Sequence, residues 1–344
     1  MKTNYQIRLK TRTGGTDIVV GENLSGRLGK LNPVPILLVD ENVLRHHSAL
    51  FDPFPVIPIP SGEEHKQMDS VMELYRALVH REIDRSSFLV GVGGGVTTDM
   101  AGFIASTYLR GISFGFISTT LLGQVDASIG GKNGVDLDGY KNMIGTIRQP
   151  SFIWCDLSLL HTLERREYVA GIAEVIKYGA IRDVRFLLYL KENLPGLLEL
   201  DPVVLEKVVT TSAALKVDVV QKDEKESDLR RILNFGHTFG HAIERELKVL
   251  HGEAVATGMV MAARLSHALG YISSSDAELI QQLVEAAGLP GTLKADPDTI
   301  FENIRKDKKK EGDSIHFVLL EGLGNAQIKS IPLGDLKPIL HDLC

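Results

Sequence analysis

Two patterns of apolar spacing alternate along the first half of the chain. Residues 5–9 set apolar and polar side chains in turn, as a half-buried strand does. Residues 35–40 (PILLVD) form a short apolar run ending in an acid, and 87–92 (SFLVGV) form another that runs straight into Gly93, Gly94 and Gly95. Both read as strands buried on two faces. Between them Met68, Val71, Met72, Tyr75, Leu78 and Val79 recur at helical spacing. Further strands are expected at 112–117 and 152–155. Strands separated by helices predict a mostly parallel sheet covered on both faces.

The second half carries the 3.6-residue period instead. Residues 167–181, 202–221, 229–247, 253–269, 276–287 and 299–305 each predict a helix. Strands are expected only at 314–320 and 326–331, as a late hairpin around Gly322 and Gly324. The change near Leu163 sets the expected boundary, with an α/β domain over 1–163 and a mostly helical domain over 164–344. There is no internal repeat, and the charge run 307–311 (DKKKE) reads by itself as a solvated face.

Composition narrows the function classes. The chain has 344 residues, enough for two cores, and a net charge of −6 from 38 basic and 44 acidic side chains. That balance argues against nucleic acid as a partner, although cations gathered at one place still suit a small anion. Cys155 and Cys344 give neither a disulfide framework nor a paired-cysteine metal site, which fits a reducing compartment. The start carries no apolar secretory segment, and no apolar run is long enough for a bilayer. A cytoplasmic protein with no membrane partner is therefore expected.

Three regions carry candidate chemistry. The first is the turn 91–99 (GVGGGVTTD), which follows a strand and opens a helix. Its glycines let backbone approach a ligand, and a helix N-terminus offers N–H groups to a pyrophosphate. Val96 stands where the usual dinucleotide fingerprint has its third glycine, so a plain tight turn remains open. Asp40 at a strand end can hold a ribose hydroxyl, and Glu63 and Lys66 in the loop 61–66 can serve the same ribose.

The second region is 118–132 (STTLLGQVDASIGGK), with Lys141 and Asn142 shortly after. An acid, lysines and an amide on glycine-flexed loops suit an anionic, hydroxylated substrate. The third is 234–241 (NFGHTFGH), where His237 and His241 share a helix face. His251 follows, and Glu174 interrupts an apolar stretch. A carboxylate and imidazoles fit zinc or a similar divalent ion. Thr238 stands where a zinc protease would carry its catalytic glutamate, and spacing does not say which histidines bind metal.

In one order along nearly the whole chain, SGEEHK (61–66), GGGVTTDMAGF (93–103), TTLLGQVDASIGGK (119–132), YKNMIG (140–145), GIAEVIKYG (171–179), LRRILNFGHTFGHAIE (229–244) and HGEAVATGM (251–259) resemble the 3-dehydroquinate synthase family. The resemblance implies an N-terminal nucleotide-binding α/β domain, a helical C-terminal metal and substrate domain, an active site between them and usually a homodimer. It implies conversion of 3-deoxy-D-arabino-heptulosonate 7-phosphate (DAHP) to 3-dehydroquinate in the shikimate pathway, with NAD used and regenerated within one turnover and one zinc or cobalt ion.

Carried over by position, the metal ligands would be Glu174, His237 and His251, leaving His241 to contact phosphate or handle a proton. NAD would lie on Asp40, on Ser61, Gly62, Glu63, Glu64, His65 and Lys66, on Gly94, Gly95, Val96, Thr97, Thr98 and Asp99, and on Thr119 and Thr120. Lys132, Lys141, Leu159 and Thr162 would extend that site. Substrate contacts would be Asp126, Lys132, Asn142, Lys177, Lys216, Arg230, Asn234, His241 and one of Lys308 and Lys309, with Arg110 reaching the neighbouring subunit's substrate. Ser118, Asp136 and Glu164 depart from the family's common proline, asparagine and proline, which touches local loop shape only.

Two rival activities share these parts. A relative that cyclises sedoheptulose 7-phosphate or glucose 6-phosphate would need no carboxylate-binding set, yet Lys216, Arg230, Asn234 and His241 are present together. A metal-dependent polyol dehydrogenase would leave Lys132, Lys141, Asn142 and Lys216 without evident purpose. A catalytically silent binding protein is hard to reconcile with the complete acid, lysine and histidine set.

Overall fold

The computed structural model describes residues 4–294, 296–305, 310–311 and 314–343. The chain divides into two compact units, Met1–Glu164 with Ser212–Lys225, and Arg165–Thr211 with Glu226–Cys344. The division follows chain order except for Ser212–Lys225, which groups with the first unit.

The first unit is built on a seven-stranded sheet. Its strands are β1 (Tyr5–Lys10), β2 (Gly15–Gly21), β3 (Ile36–Asp40), β4 (Val56–Ile59), β5 (Phe88–Gly93), β6 (Ser113–Ser118) and, after the hairpin β7 (Lys132–Leu137) and β8 (Tyr140–Ile147), β9 (Phe152–Asp156). The order is β1-β2-β9-β6-β5-β3-β4. All neighbours are parallel except β1 and β2. The apolar runs in β3, β5 and β9 are buried because helices cover a parallel sheet on both sides.

Helices α1 (Glu41–His47), α2 (Met68–His80) and α3 (Gly95–Thr107) connect the strands. α2 buries Val71, Leu74 and Leu78, one stripe of an otherwise polar helix. Phe152 stacks on Trp154 at 4.2 Å within the core that also holds Leu37, Val90 and Ile117.

The second unit is mostly helical: α4 (Arg165–Arg182), α5 (Val184–Leu198), the first part of α6 (Pro202–Lys222), α7 (His237–Leu247), α8 (His251–Ala268), α9 (Ser274–Ala286), α10 (Pro297–Arg305) and α11 (Leu333–Leu343). A small antiparallel sheet joins β10 (Lys310–Glu311), β11 (Ser314–Leu320) and β12 (Ala326–Pro332). The unit is organised around α8, which packs against α7, α4, α9 and β11 and is apolar nearly all round, as a central helix must be.

The expected fold class, an α/β unit followed by a mostly helical one, is the observed one. One expected helix, 229–247, is broken. Leu229–Asn234 forms a 3-10 turn, Gly236 turns the chain at φ 79°, and α7 begins at His237. A side chain at Gly236 would also meet the Met259 amide nitrogen at 2.8 Å, so glycine is required there twice over.

Candidate active site

The second unit gathers Glu174, His237 and His251 from three helices. Glu174 sits in the middle of α4, where Tyr168 and every residue from 170 to 181 are buried. The Gly236 turn makes His237 the first residue of α7, and His251 is the first of α8. Gly252 allows α8 to start against α4, since a Cβ there would lie 2.6 Å from the Ala170 carbonyl carbon. Ala170 is one helical turn before Glu174, so this close approach sets the distance from His251 to Glu174.

The resulting geometry suits a divalent ion. His237 Nε2 lies 3.6 Å from Glu174 Oε1, and His251 Nε2 lies 4.0 Å from the same oxygen. The ligand atoms of the three residues all fall within 4.8 Å of one another. His237 Nδ1 faces the Phe235 carbonyl oxygen at 3.1 Å, which places the proton on Nδ1 and leaves the Nε2 lone pair toward Glu174. Two imidazoles and one carboxylate leave a coordination position for substrate. The donor set therefore fits zinc or cobalt.

Around this centre, Lys177 is buried on α4 and ion-paired with Glu174 one turn away. His241 lies one turn beyond His237, their ring centroids 5.4 Å apart. Arg230 is buried on the turn before α7. Asn234 donates to Glu226 Oε1 at 2.7 Å and to the Arg231 carbonyl. Glu226 and Glu244 were not legible as site residues. Glu244 sits 3.2 Å from His251 Nδ1, and its position seven residues after His237 on the same helix face was the available signal.

In the first unit, candidate nucleotide residues collect at the C-terminal ends of the adjacent parallel strands β4, β3, β5 and β6, the edge where open α/β sheets bind ligands. Asp40 ends β3, receives the Asn42 amide at 2.8 Å and accepts from Ser61 Oγ at 2.7 Å, with Thr97 Oγ1 at 3.4 Å. Gly94 and Gly95 open α3 after β5, and a Cβ on Gly94 would lie 2.8 Å from Thr120 Cγ2. The Thr119 amide bonds the Gly93 carbonyl, and Thr120 Oγ1 accepts from the Gly123 amide.

Not every expected hydroxyl faces outward. Thr97 and Thr98 are buried, and Thr98 donates to the Gly95 carbonyl. Leu159 is buried, while Thr162 is exposed and pairs with His47 Nε2 at 2.7 Å. Glu64 is exposed and lies 4.0 Å from His65, and Gly62 and Val96 belong to the turns before Glu63 and within α3.

Lys66 ties this rim together. Its Nζ donates to Asp99 Oδ2 at 2.6 Å and to Asn142 Oδ1 at 2.7 Å, and Lys141 Nζ lies 3.5 Å from Glu63. Burial pulls the Lys66 ammonium down, but the Asp99 and Glu63 carboxylates outweigh it and hold it above the ordinary lysine range. Burial pushes the Asp99 carboxyl up, against the pull of Lys66. Asp136 Oδ1 accepts the Asn142 amide at 2.7 Å, fixing that residue at φ 52°.

Another ion pair joins the buried Lys216 to the partly buried Asp126, with Nζ 2.7 Å from Oδ1 and 2.6 Å from the backbone oxygen. Asp126 lies in the π-helical turn Gly123–Ala127, which aims its carboxylate and carbonyl at one donor. Lys132 begins β7 and is exposed, as is Arg110, on a turn where Leu109 and Arg110 have φ 50° and 67°. Lys308 and Lys309 lie outside the described residues.

The family model described as 3-dehydroquinate synthase N-terminal matches residues 56–170, and the one described as 3-dehydroquinate synthase C-terminal matches 171–310. The chain is 43% identical over 289 residues to a 3-dehydroquinate synthase of Geotalea uraniireducens, covering 83% of this chain and 80% of that one. It is 46% identical over 268 residues to one from Symbiobacterium thermophilum, covering 76% and 75%. Among solved structures, a 2-deoxy-scyllo-inosose synthase complexed with carbaglucose-6-phosphate, NAD+ and Co2+ superposes with a TM-score of 0.88 at 25% identity, covering 98% of this chain and 100% of that one. A 2-epi-5-epi-valiolone synthase from Streptomyces hygroscopicus with NAD+ and Zn2+ bound gives a TM-score of 0.87 at 25% identity, with coverage of 98% and 99%.

Proposed function

The chain belongs to the 3-dehydroquinate synthase family, and we propose that it is an NAD- and divalent-metal-dependent lyase converting DAHP to 3-dehydroquinate and phosphate. The observation that supports this reading best is the convergence of Glu174, His237 and His251 in a chain that also keeps Lys177, Arg230, Asn234 and His241 around them. When bound, the metal polarises a substrate hydroxyl and NAD takes up and returns one hydride.

This chain's own residues hold and orient. Gly94, Gly95 and the N-terminus of α3 offer backbone N–H groups to the dinucleotide pyrophosphate, and Asp40 accepts from its ribose. Glu63, Lys66, Asp99, Thr119 and Thr120 form the rest of that rim. Glu174, His237 and His251 hold the metal. The cations Lys132, Lys177, Lys216 and Arg230 match the substrate's phosphate and carboxylate, and Asn234 and Asn142 fix its hydroxyls.

His241, off the metal, contacts phosphate or carries a proton. Asp126 keeps the Lys216 ammonium aimed by two hydrogen bonds. Holding one flexible molecule in register through elimination and ring closure supplies the entropic part of the rate. The protein works as a cytoplasmic homodimer, with Arg110 reaching the partner's substrate and one of Lys308 and Lys309 contacting its own.

The test is substrate choice. Purified protein with NAD+ and zinc or cobalt should release phosphate from DAHP and form dehydroquinate, and chelation should stop it. Turnover of sedoheptulose 7-phosphate or glucose 6-phosphate, with none of DAHP, would instead assign the chain to another sugar phosphate cyclase.

A further inference from the structure

The His251 ring is engaged at both nitrogens. Nε2 points to Glu174 Oε1 at 4.0 Å, and Nδ1 lies 3.2 Å from Glu244 Oε2. A neutral imidazole carries one N–H and one lone pair, so whichever nitrogen meets the carboxylate as donor decides which one can bind metal. Glu244 comes from α7 and is itself largely buried, its side chain 12% exposed.

His237 has the same need and meets it differently, through the Phe235 carbonyl at 3.1 Å. One histidine is thus set by backbone, which no substitution removes, and the other by a replaceable carboxylate. A carboxylate acceptor also raises the basicity of the far nitrogen.

A competing arrangement uses the same ring. His241, Glu244 and His251 also bring ligand atoms within 4.8 Å of one another. There Nδ1 of His251 would face the ion and Glu244 would be a ligand. One neutral ring cannot present lone pairs from both nitrogens. The buried Glu174 and the already oriented His237 favour Nε2 as the ligand atom.

We propose that Glu244 is a positioning residue of the metal centre, accepting the Nδ1–H of His251 and thereby directing the Nε2 lone pair toward Glu174 and His237. This rests on the metal-site reading above. Loss of such a partner costs about 10–100-fold in metal affinity.

The test titrates apoprotein with Zn2+ against a chromophoric chelator, alongside the Co2+ absorption spectrum. Glu244→Ala should weaken Zn2+ binding about 10–100-fold. Glu244→Gln, which keeps an acceptor oxygen, should recover at least half of that loss on a logarithmic scale and confirms that the fold survives. In a His251→Ala background, Glu244→Ala should add no further loss.

Unchanged affinity in Glu244→Ala, or a Gln variant as weak as Ala, overturns the proposal. An undiminished second loss in the His251→Ala background also overturns it, and makes Glu244 a ligand with His241. His237→Ala separates the two levels. If that variant keeps full Zn2+ affinity, the metal-site reading itself fails. If it loses affinity while Glu244→Ala does not, only the role of Glu244 fails.

Discussion

Replacing Gly252 by alanine adds one methyl group at the point where α8 starts against α4. Its Cβ would lie 2.6 Å from the Ala170 carbonyl carbon and 2.9 Å from its Cα, and it would overlap the carbonyl oxygen. Carbon atoms settle at about 3.5 Å, so the carbonyl carbon alone requires α8 to withdraw by at least roughly 0.9 Å. The obstacle is backbone within a buried helix, which has no rotamer to offer. Metal–ligand distances hold to within about 0.2 Å. His251 directly precedes Gly252, so the displacement is several times what a metal centre with His251 as a ligand would tolerate.

Two effects oppose each other in stability. Alanine in a helix is favoured over glycine by up to about 1 kcal/mol. Overpacking costs about 1–3 kcal/mol and should win. The expected result is a lower melting temperature of the apoprotein together with at least a tenfold weaker Zn2+ affinity, read by chelator competition. Raised stability with unchanged Zn2+ affinity would show that the close approach of α8 to α4 does not set the metal geometry.

Three further outcomes follow from the same structure. His251→Ala should lose the metal, whereas His241→Ala should keep it and lose rate; equal metal loss in both, measured by metal content after gel filtration, would contradict the ligand assignment. Cys155 is buried, and burial with the neighbouring Asp156 pushes its thiol up to about 12. At pH 8 only about one molecule in ten thousand would carry the thiolate, against roughly a quarter for an ordinary cysteine. A Cys344→Ser variant should therefore react with a thiol reagent only on unfolding, and rapid labelling of the folded protein would refute that.

The Lys66 ammonium is held above its ordinary range, so it stays charged up to about pH 10.4, and at the alkaline end its ion pair with Asp99 is lost only as pH rises through the raised value. NAD+ affinity, followed by fluorescence titration, should be flat from neutral pH to about 10. A fall centred near pH 8 would place the titrating group elsewhere.

The parallel sheet was readable because β3 and β5 are continuous apolar runs, a pattern that only two-sided burial explains. Helix α5 was not anticipated, although Phe186, Leu187, Leu190, Leu194 and Leu197 share one face; Pro195 near its end interrupts the expected pattern. The β7–β8 hairpin carries only a weak strand pattern. Asp138 and Gly139 at φ 50° and 77° form the Asp-Gly turn that signals a two-residue hairpin, but few apolar residues alternate beside it.

The break at Gly236 was hidden because the apolar spacing continues through it, and only the packing of Met259 shows why the chain must turn there. At the site, residue types were legible and pairings were not. Nothing in one sequence says that Lys216 meets Asp126, ninety residues away, or that Glu244 meets His251. Those contacts follow from tertiary packing, and packing also separates His237, on the buried side of α7 beside Glu174, from His241 one turn along.

The central claim is that this protein borrows a hydride, expels phosphate and gives the hydride back. A single reaction with DAHP, zinc or cobalt and a catalytic amount of NAD+ tests it, followed at once for phosphate, dehydroquinate and NADH. Phosphate and dehydroquinate should appear in equal amounts, far exceeding the NAD+ supplied, with no net NADH. NADH accumulating in step with substrate loss, and no phosphate released, would contradict the account and make the protein a dehydrogenase.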